Sequence, residues 1–361
     1  MVERIWKKII RREPYTLWDI PAFLLWLISF PYRLGAWIHR QTAGEPEKVS
    51  APLISIGNIT VGGTGKTPLV AFIARDLTND GHRVGIVSSG YGRTDETAVM
   101  APGYQVRDMG VSITGDEIML LSGMLPEAVF SIDRSKTQAA RTLADSGQVD
   151  LIIVDDGFQH YKLARDIDLV AYDAGIKRRY LKPFPYGMLR EPRSALARAD
   201  VIIITRAKFA LDINAIKKDL RKINPEAKIF HAGFEAESIV GADQSLSIKY
   251  IEDKSVFLFA GVGNFRSLER QVSAFSGDLD YALEFSDHQN YQPADLELIK
   301  RLADKYDSDL ILTTHKDWVK LGDFDFGREI YYLDLRVDLD PGEEKLLEYL
   351  TATLHLTRQE S

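Results

Sequence analysis

The sequence predicts an α/β protein with a parallel-sheet core, a second, smaller α/β domain and an N-terminal membrane-associated helical segment. Three observations predict it. From residue 51 onward, short continuous apolar runs alternate with helix-period patterns, as in strands buried on both faces and joined by helices. The length, 361 residues, exceeds one ordinary core. The first forty residues carry seven basic and three acidic side chains, a net +4 that leaves −11 for the rest of a chain of net charge −7. An acidic body with a basic front end argues against nucleic-acid binding and for a localised anionic partner. With no cysteine, disulfides, thiolate metal sites and cysteine nucleophiles are excluded.

At the front, V-E-R-I-W-K-K-I-I-R-R sets Val2, Ile5, Trp6, Ile9 and Ile10 on one helical face, with Arg4, Lys7, Lys8, Arg11 and Arg12 mostly off it. Such a basic amphipathic helix suits anionic headgroups. A turn at Glu13-Pro14 leads to a second helix, capped by Asp19 with Pro21 in its first turn. Its apolar run, residues 20–32, is shorter than the roughly 20 residues that cross a bilayer, and Pro31 and Arg33 interrupt it. The expectation is a helix that dips into one leaflet, with Trp18, Trp26 and Trp37 as interfacial anchors. No small-residue cleavage site follows, which argues against a signal peptide. The alternative is a helical pair covering a core or a dimer contact.

Strands are expected at 53–56, 84–88, 128–132, 151–154, 169–172 and 201–205, with helices at 68–78 and 116–123 between them. A second group of strands is expected at 228–231, 256–260, 310–313 and 330–333, with helices at 212–223, 264–275 and 294–305. The polar N-P-E-A-K at 224–228 marks the boundary. The chain therefore divides into 1–45 (membrane-associated helices), 46–225 (core) and 226–361 (smaller domain), and residues 357–361 are expected to fray.

The stretch N-I-T-V-G-G-T-G-K-T-P at 58–68 follows the first strand and opens a helix. Backbone N–H groups of Thr60, Val61, Gly62, Gly63, Thr64 and Gly65 are placed to wrap phosphates in front of a helix N-terminus. Lys66 would reach the outer phosphates and Thr67 would hold Mg²⁺ through its hydroxyl. The order G-G-x-G-K-T matches the deviant Walker A loop and makes the core P-loop NTPase-like. Val61 stands where a branch of membrane-associated switch ATPases has a lysine, so only the loop's shape is shared. The run L-I-I-V-D-D-G ends a buried strand on Asp155 and Asp156, candidate Mg²⁺ carboxylates. No N-K-x-D occurs, which favours ATP over GTP.

These motifs, together with S-S-G-Y-G-R, T-G-D-E, V-D-D-G-F-Q-H, L-R-E-P and a late F-S-D-H, resemble the tetraacyldisaccharide 4′-kinase family, in order from about residue 50 to 320. The resemblance implies a kinase that uses ATP and Mg²⁺ to phosphorylate the 4′-hydroxyl of the lipid A disaccharide precursor, tetraacyldisaccharide 1-phosphate. Its place is the cytoplasmic face of the inner membrane, held through the N-terminal helices. The resemblance further implies that Lys66 and Thr67 hold ATP and Mg²⁺, that Asp155 and Asp156 sit by the metal, and that Asp116 is the base, assisted by His288. Glu191 and His160 match other active-site positions. Residues 177–206 carry eight basic and two acidic side chains, and Arg190 among them, with Arg93 of G-Y-G-R, is a candidate contact for the anionic lipid. Two departures, F-P-Y-G-M before L-R-E-P and T-T-H-K-D where many members have T-E-K-D, bear on substrate fit. The rivals are a membrane-bound nucleotide switch and a soluble small-molecule kinase with structural N-terminal helices.

Overall fold

The computed structural model describes all residues except 1, 11, 13–15, 211, 264, 288 and 357–361. The turn expected at Glu13-Pro14, the candidate His288 and the tail at 357–361 thus lie outside the described residues. In chain order the strands are β1 (Leu53–Asn58), β2 (Val84–Ser88), β3 (Val99–Pro102), β4 (Val129–Ile132), β5 (Leu151–Asp155), β6 (Ile167–Asp173), β7 (Val201–Thr205), β8 (Lys228–Val240), β9 (Ser245–Ser247), β10 (Ser255–Ala260), β11 (Asp278–Glu284), β12 (Leu310–Thr314) and β13 (Ile330–Asp340). The helices are α1 (Val2–Ile10), α2 (Asp19–Gln41), α3 (Lys66–Asn79), α4 (Gly103–Val106), α5 (Val111–Thr114), α6 (Asp116–Met124), α7 (Lys136–Asp145), α8 (Ile213–Ile223), α9 (Phe265–Ser273), α10 (Pro293–Lys305), α11 (His315–Trp318) and α12 (Glu343–Thr353).

The chain forms two compact units: residues 1–88, 128–233 and 338–361 in the first, residues 89–127 and 234–337 in the second. This corrects the contiguous division expected from N-P-E-A-K. Asn224 is buried there, and its amide donates to the carbonyls of Leu196 (3.0 Å) and Ala199 (2.7 Å), so the stretch is a fastened turn and not a linker. The chain leaves the first unit inside β8 and re-enters it inside β13.

In the first unit the strands lie in the order β8-β7-β6-β1-β5-β2-β4, all parallel. β1, β2, β5, β6 and β7 are buried along their whole length, as their mostly apolar sequences suit, with the polar side chains among them, Ser55, Asn58 and Asp168 included, buried as well. Leu53, Val87, Ile152 and Val154 pack with Ala139, Ala140 and Leu143 of α7, while Val170, Ile202 and Ile204 pack with Leu220 of α8. The second unit has its own parallel strands β11-β10-β12-β13 and its own cores, around Val256, Leu258 and Leu312 and around Phe257, Phe259 and Ile299.

α2 differs from its expected form. Asp19, expected as the cap, is its first residue, and the Asp19 carboxylate accepts from the Arg12 guanidinium (2.7 Å) and the Thr16 N–H (3.0 Å). Its apolar side faces away from the unit: Ile20, Phe23, Leu24, Leu27, Leu34 and Trp37 are exposed, Ile20 by 70% and Trp37 by 59%, whereas Ala22 and Ser29 are buried. Both N-terminal helices seat on the F-P-Y-G-M segment. The Trp6 indole donates to the Pro185 carbonyl (2.7 Å), and Trp6 and Tyr32 each pack against Phe184, at 5.7 and 5.3 Å between ring centroids. Among the described residues no helix is long and apolar enough to cross a membrane.

Candidate active site

The phosphate loop leaves the carboxyl end of β1 at the centre of the first unit's sheet, where strand order reverses and α/β proteins place ligands. Gly65 lies directly before α3 with φ +86°, a left-handed conformation that glycine adopts without penalty. Three ties fix the loop. The Asn58 amide donates to the Thr64 hydroxyl (2.9 Å), the Thr205 hydroxyl donates to the Thr64 carbonyl (2.9 Å), and Arg206 donates to the Gly63 carbonyl while pairing with Asp173 (2.8 Å). A short antiparallel bridge joins Thr60 to Leu189: the Val61 N–H donates to the Met188 carbonyl (2.8 Å) and the Arg190 N–H to the Ile59 carbonyl (2.8 Å). The Val61 amide is thereby occupied, and the Thr60 and Thr64 side chains are buried. Of residues 60–67, expected to wrap phosphates, Val61 thus has its N–H bonded to the Met188 carbonyl.

That bridge places L-R-E-P beside the end of β5. Register does the rest, because Ile56 of β1 lies opposite Asp155, so the carboxylates emerge next to the loop. Gly57 is required at the crossing: a Cβ there would lie 2.6 Å from the Phe158 Cβ. Asp156 accepts from the Arg190 guanidinium at 2.8 and 3.1 Å and faces the Lys66 ammonium at 3.5 Å. Burial alone would raise the Asp156 pKa, but Lys66, Arg190 and Lys136 outweigh it and hold the carboxyl well below the usual carboxylate range. Lys136, almost fully buried at the start of α7, donates to the carbonyls of Asp155 (2.7 Å) and Asp156 (2.8 Å); burial pushes its ammonium down against the pull of the two carboxylates. The hard oxygens of Asp155, Asp156 and Thr67 suit Mg²⁺, which keeps waters and phosphate oxygens in its shell and needs few protein ligands.

Glu191 is 7% exposed and accepts four hydrogen bonds: from Gln159 (2.9 Å), from the Tyr161 hydroxyl (2.6 Å) and from both terminal nitrogens of Arg198 (3.1 Å each). Burial, then the bond to Glu191, pushes the Tyr161 phenol up to about 12, so it remains a donor. Beside this network a cavity of about 570 Å³, a size usual for small-molecule sites, is lined by Tyr32, Gly35, Ala36 and His39 of α2 and by Asp156, His160, Arg190 and Glu191. His160 lies within hydrogen-bonding distance of the Thr137 hydroxyl (3.0 Å), and burial with nearby cations, Lys136 first, pushes its imidazole down to about 4. It is neutral at pH 7.

In the second unit, Asp116 opens α6 directly after Gly115, whose φ of +80° and close approach to the Tyr91 carbonyl exclude a side chain. The Asp116 carboxylate pairs with Lys320 at 2.5 Å. Arg93, by contrast, is turned onto its own loop, donating to the carbonyls of Thr97 (2.8 Å) and Glu96 (3.3 Å).

The family described as LpxK, tetraacyldisaccharide-1-P 4′-kinase, matches residues 21–355. The chain belongs to the tetraacyldisaccharide 4′-kinase family. It is similar to the tetraacyldisaccharide 4′-kinase of Halothermothrix orenii (32% identical, 92% of this chain and 93% of the relative) and to that of Syntrophobacter fumaroxidans (32% identical, 97% and 91%). Its fold is that of the Aquifex aeolicus LpxK crystal structure, an "apo" form in complex with ATP, with a TM-score of 0.72 over 92% of this chain and 99% of that one at 24% identity. This member of the tetraacyldisaccharide 4′-kinase family brings together, in its first unit, Lys66, Asp155, Asp156, His160, Arg190 and Glu191 of the residues singled out from sequence. Lys136, Gln159, Tyr161 and Tyr32 were not singled out from sequence, and Arg198 only as one of the basic residues of 177–206. Gln159 lay in the V-D-D-G-F-Q-H motif and Tyr32 at the end of the 20–32 apolar run; Lys136 and Tyr161 stand in unremarkable contexts and are recruited by tertiary packing.

Proposed function

We infer that the protein transfers the γ-phosphate of ATP to the 4′-hydroxyl of tetraacyldisaccharide 1-phosphate, giving lipid IVA. The observation that carries this reading is the cavity that runs from the Asp156–Arg190 charge cluster to Gly35 and Ala36 of α2, in a chain of this family. One end offers cations and a neutral imidazole to phosphate and sugar hydroxyls, and the other opens on a helix whose outer side is apolar.

In this reading the cradle from Gly62 to Thr67 holds the ATP phosphates, Lys66 and Arg190 neutralise charge on the transferred group, and Asp116 with His288 takes the hydroxyl proton. Asp155, Asp156 and Thr67 would hold Mg²⁺, which neutralises the β- and γ-phosphate oxygens when bound. Glu191 holds Tyr161, Gln159 and Arg198 in place and leaves proton transfer to Asp116. The nucleotide-switch alternative is not favoured: Val61 replaces the signature lysine and the family is one of kinases. Incubation with Mg-ATP and the monophosphorylated disaccharide lipid, followed by mass analysis, is expected to add one phosphate; nucleotide-dependent dimerisation without product would support the switch instead.

The membrane, at its cytoplasmic face, is the proposed partner of α1 and α2. An apolar stripe this long, facing away from its own domain, is supported by burial in lipid, and each cation near an anionic surface adds about 1 kcal/mol. Replacing Phe23, Leu27 and Leu34 by serine is expected to reduce co-flotation with anionic vesicles by about tenfold or more, since each buried side chain is worth about 1.5–3 kcal/mol. Undiminished flotation would rule out this face as the anchor.

A further inference from the structure

The geometry points to Lys320 as the positioning residue that sets the orientation and charge of Asp116, an inference that rests on Asp116 being the base. The Lys320 ammonium lies 2.5 Å from Asp116 Oδ2 and donates to the Gln289 carbonyl (3.2 Å). One turn earlier, Lys316 pairs with Asp287 at 3.0 Å. Two lysines four residues apart therefore grip the chain on either side of position 288, and the second of them also grips Asp116. The sequence separates Asp116 from the D-H motif by more than 170 positions; Lys320 ties Asp116 to Gln289, two residues after the aspartate of that motif, within the second unit.

The base of this grip is rigid. Asp317, fully buried between the two lysines, accepts from the Gly261 N–H (3.0 Å), the Tyr291 hydroxyl (3.0 Å) and the Thr314 hydroxyl (2.6 Å), and Thr314 in turn caps α11. The pair is shielded as well, with Lys320 6% and Asp116 14% exposed. An ammonium at this range favours the ionised carboxylate. It also weakens the carboxylate as a final proton acceptor. A base held this way is fixed in orientation and takes up the hydroxyl proton as the phosphoryl group transfers.

The test compares pH–rate profiles of the full-length wild type, Lys320→Met, Lys320→Arg and Asp116→Asn in mixed micelles of the lipid acceptor, with ATP affinity and melting temperature alongside. Lys320→Met is expected to lose about 10²-fold in turnover, within the range set for a positioned base. Its acid limb is expected to move up by about 1–3 pH units, as for a carboxylate that loses a neighbouring cation. ATP affinity should change by less than about twofold, since Asp116 and Gln289, which hold Lys320, both belong to the second unit and the phosphate loop to the first. Lys320→Arg should return the acid limb to its wild-type position. If Lys320→Met does not fold, Lys320→Gln reads the same limb. An unmoved acid limb in a folded neutral variant, with Asp116→Asn inactive, overturns the role of Lys320 alone. Turnover retained in Asp116→Asn removes the base itself, and the role of Lys320 with it.

Discussion

Lys66→Met is expected to lower turnover by about 10²–10³-fold, the usual cost of removing one preorganised group that meets developing charge, and to leave the melting temperature close to that of the wild type. The second half of this expectation follows from the geometry around Asp156. That carboxylate keeps both bonds from Arg190, at 2.8 and 3.1 Å, when Lys66 at 3.5 Å is removed, so no buried charge is stranded. Steady-state kinetics with a thermal melt decides it, and near-normal turnover would take Lys66 out of the proposed mechanism. A melt that collapsed instead would mean that Lys66, and not Arg190, neutralises Asp156 in the resting protein.

Glu191→Ala is expected to act in the opposite way, on stability first. The Arg198 guanidinium donates twice to Glu191, lies 4.3 Å over the Phe158 ring, and has a buried Nε that already lacks a partner. Removing the carboxylate strands that cation, which costs about 3–5 kcal/mol. For a chain of this size the melting temperature should fall by about 10 °C. The milder Glu191→Gln, which keeps one acceptor oxygen, should fall less and keep much of its turnover below the new midpoint. A Glu191→Ala protein that melts like the wild type yet turns nothing over would restore a chemical role to this residue.

The core of the first unit was legible because its strands are continuous apolar runs: 84–88 and 201–205 coincide with β2 and β7, and 53–56 and 151–154 fall inside β1 and β5. Elements with a mixed pattern were not. β11 reads D-L-D-Y-A-L-E and β8 continues to Val240 as alternating buried and open positions, so neither presents the run that marks a buried strand. α7 offers Ala139, Ala140, Leu143 and the partly buried Ala144 to its core, mostly alanines and too weak a stripe to notice, and with it Lys136 was lost. The loop, the paired aspartates and L-R-E-P were visible as motifs. Their mutual placement was not, because it depends on the Thr60–Leu189 bridge and the Ile56–Asp155 register, which no local pattern encodes.

The outward apolar side of α2 changes what concentration means for this protein. On the proposed membrane seat, an acceptor carrying four acyl chains arrives by sliding within the bilayer plane, and Gly35 and Ala36 of the same helix border the cavity proposed to receive it. Encounter is then two-dimensional. Turnover follows the mole fraction of acceptor among the surrounding lipids, and adding inert lipid at a constant amount of acceptor slows the reaction by surface dilution alone.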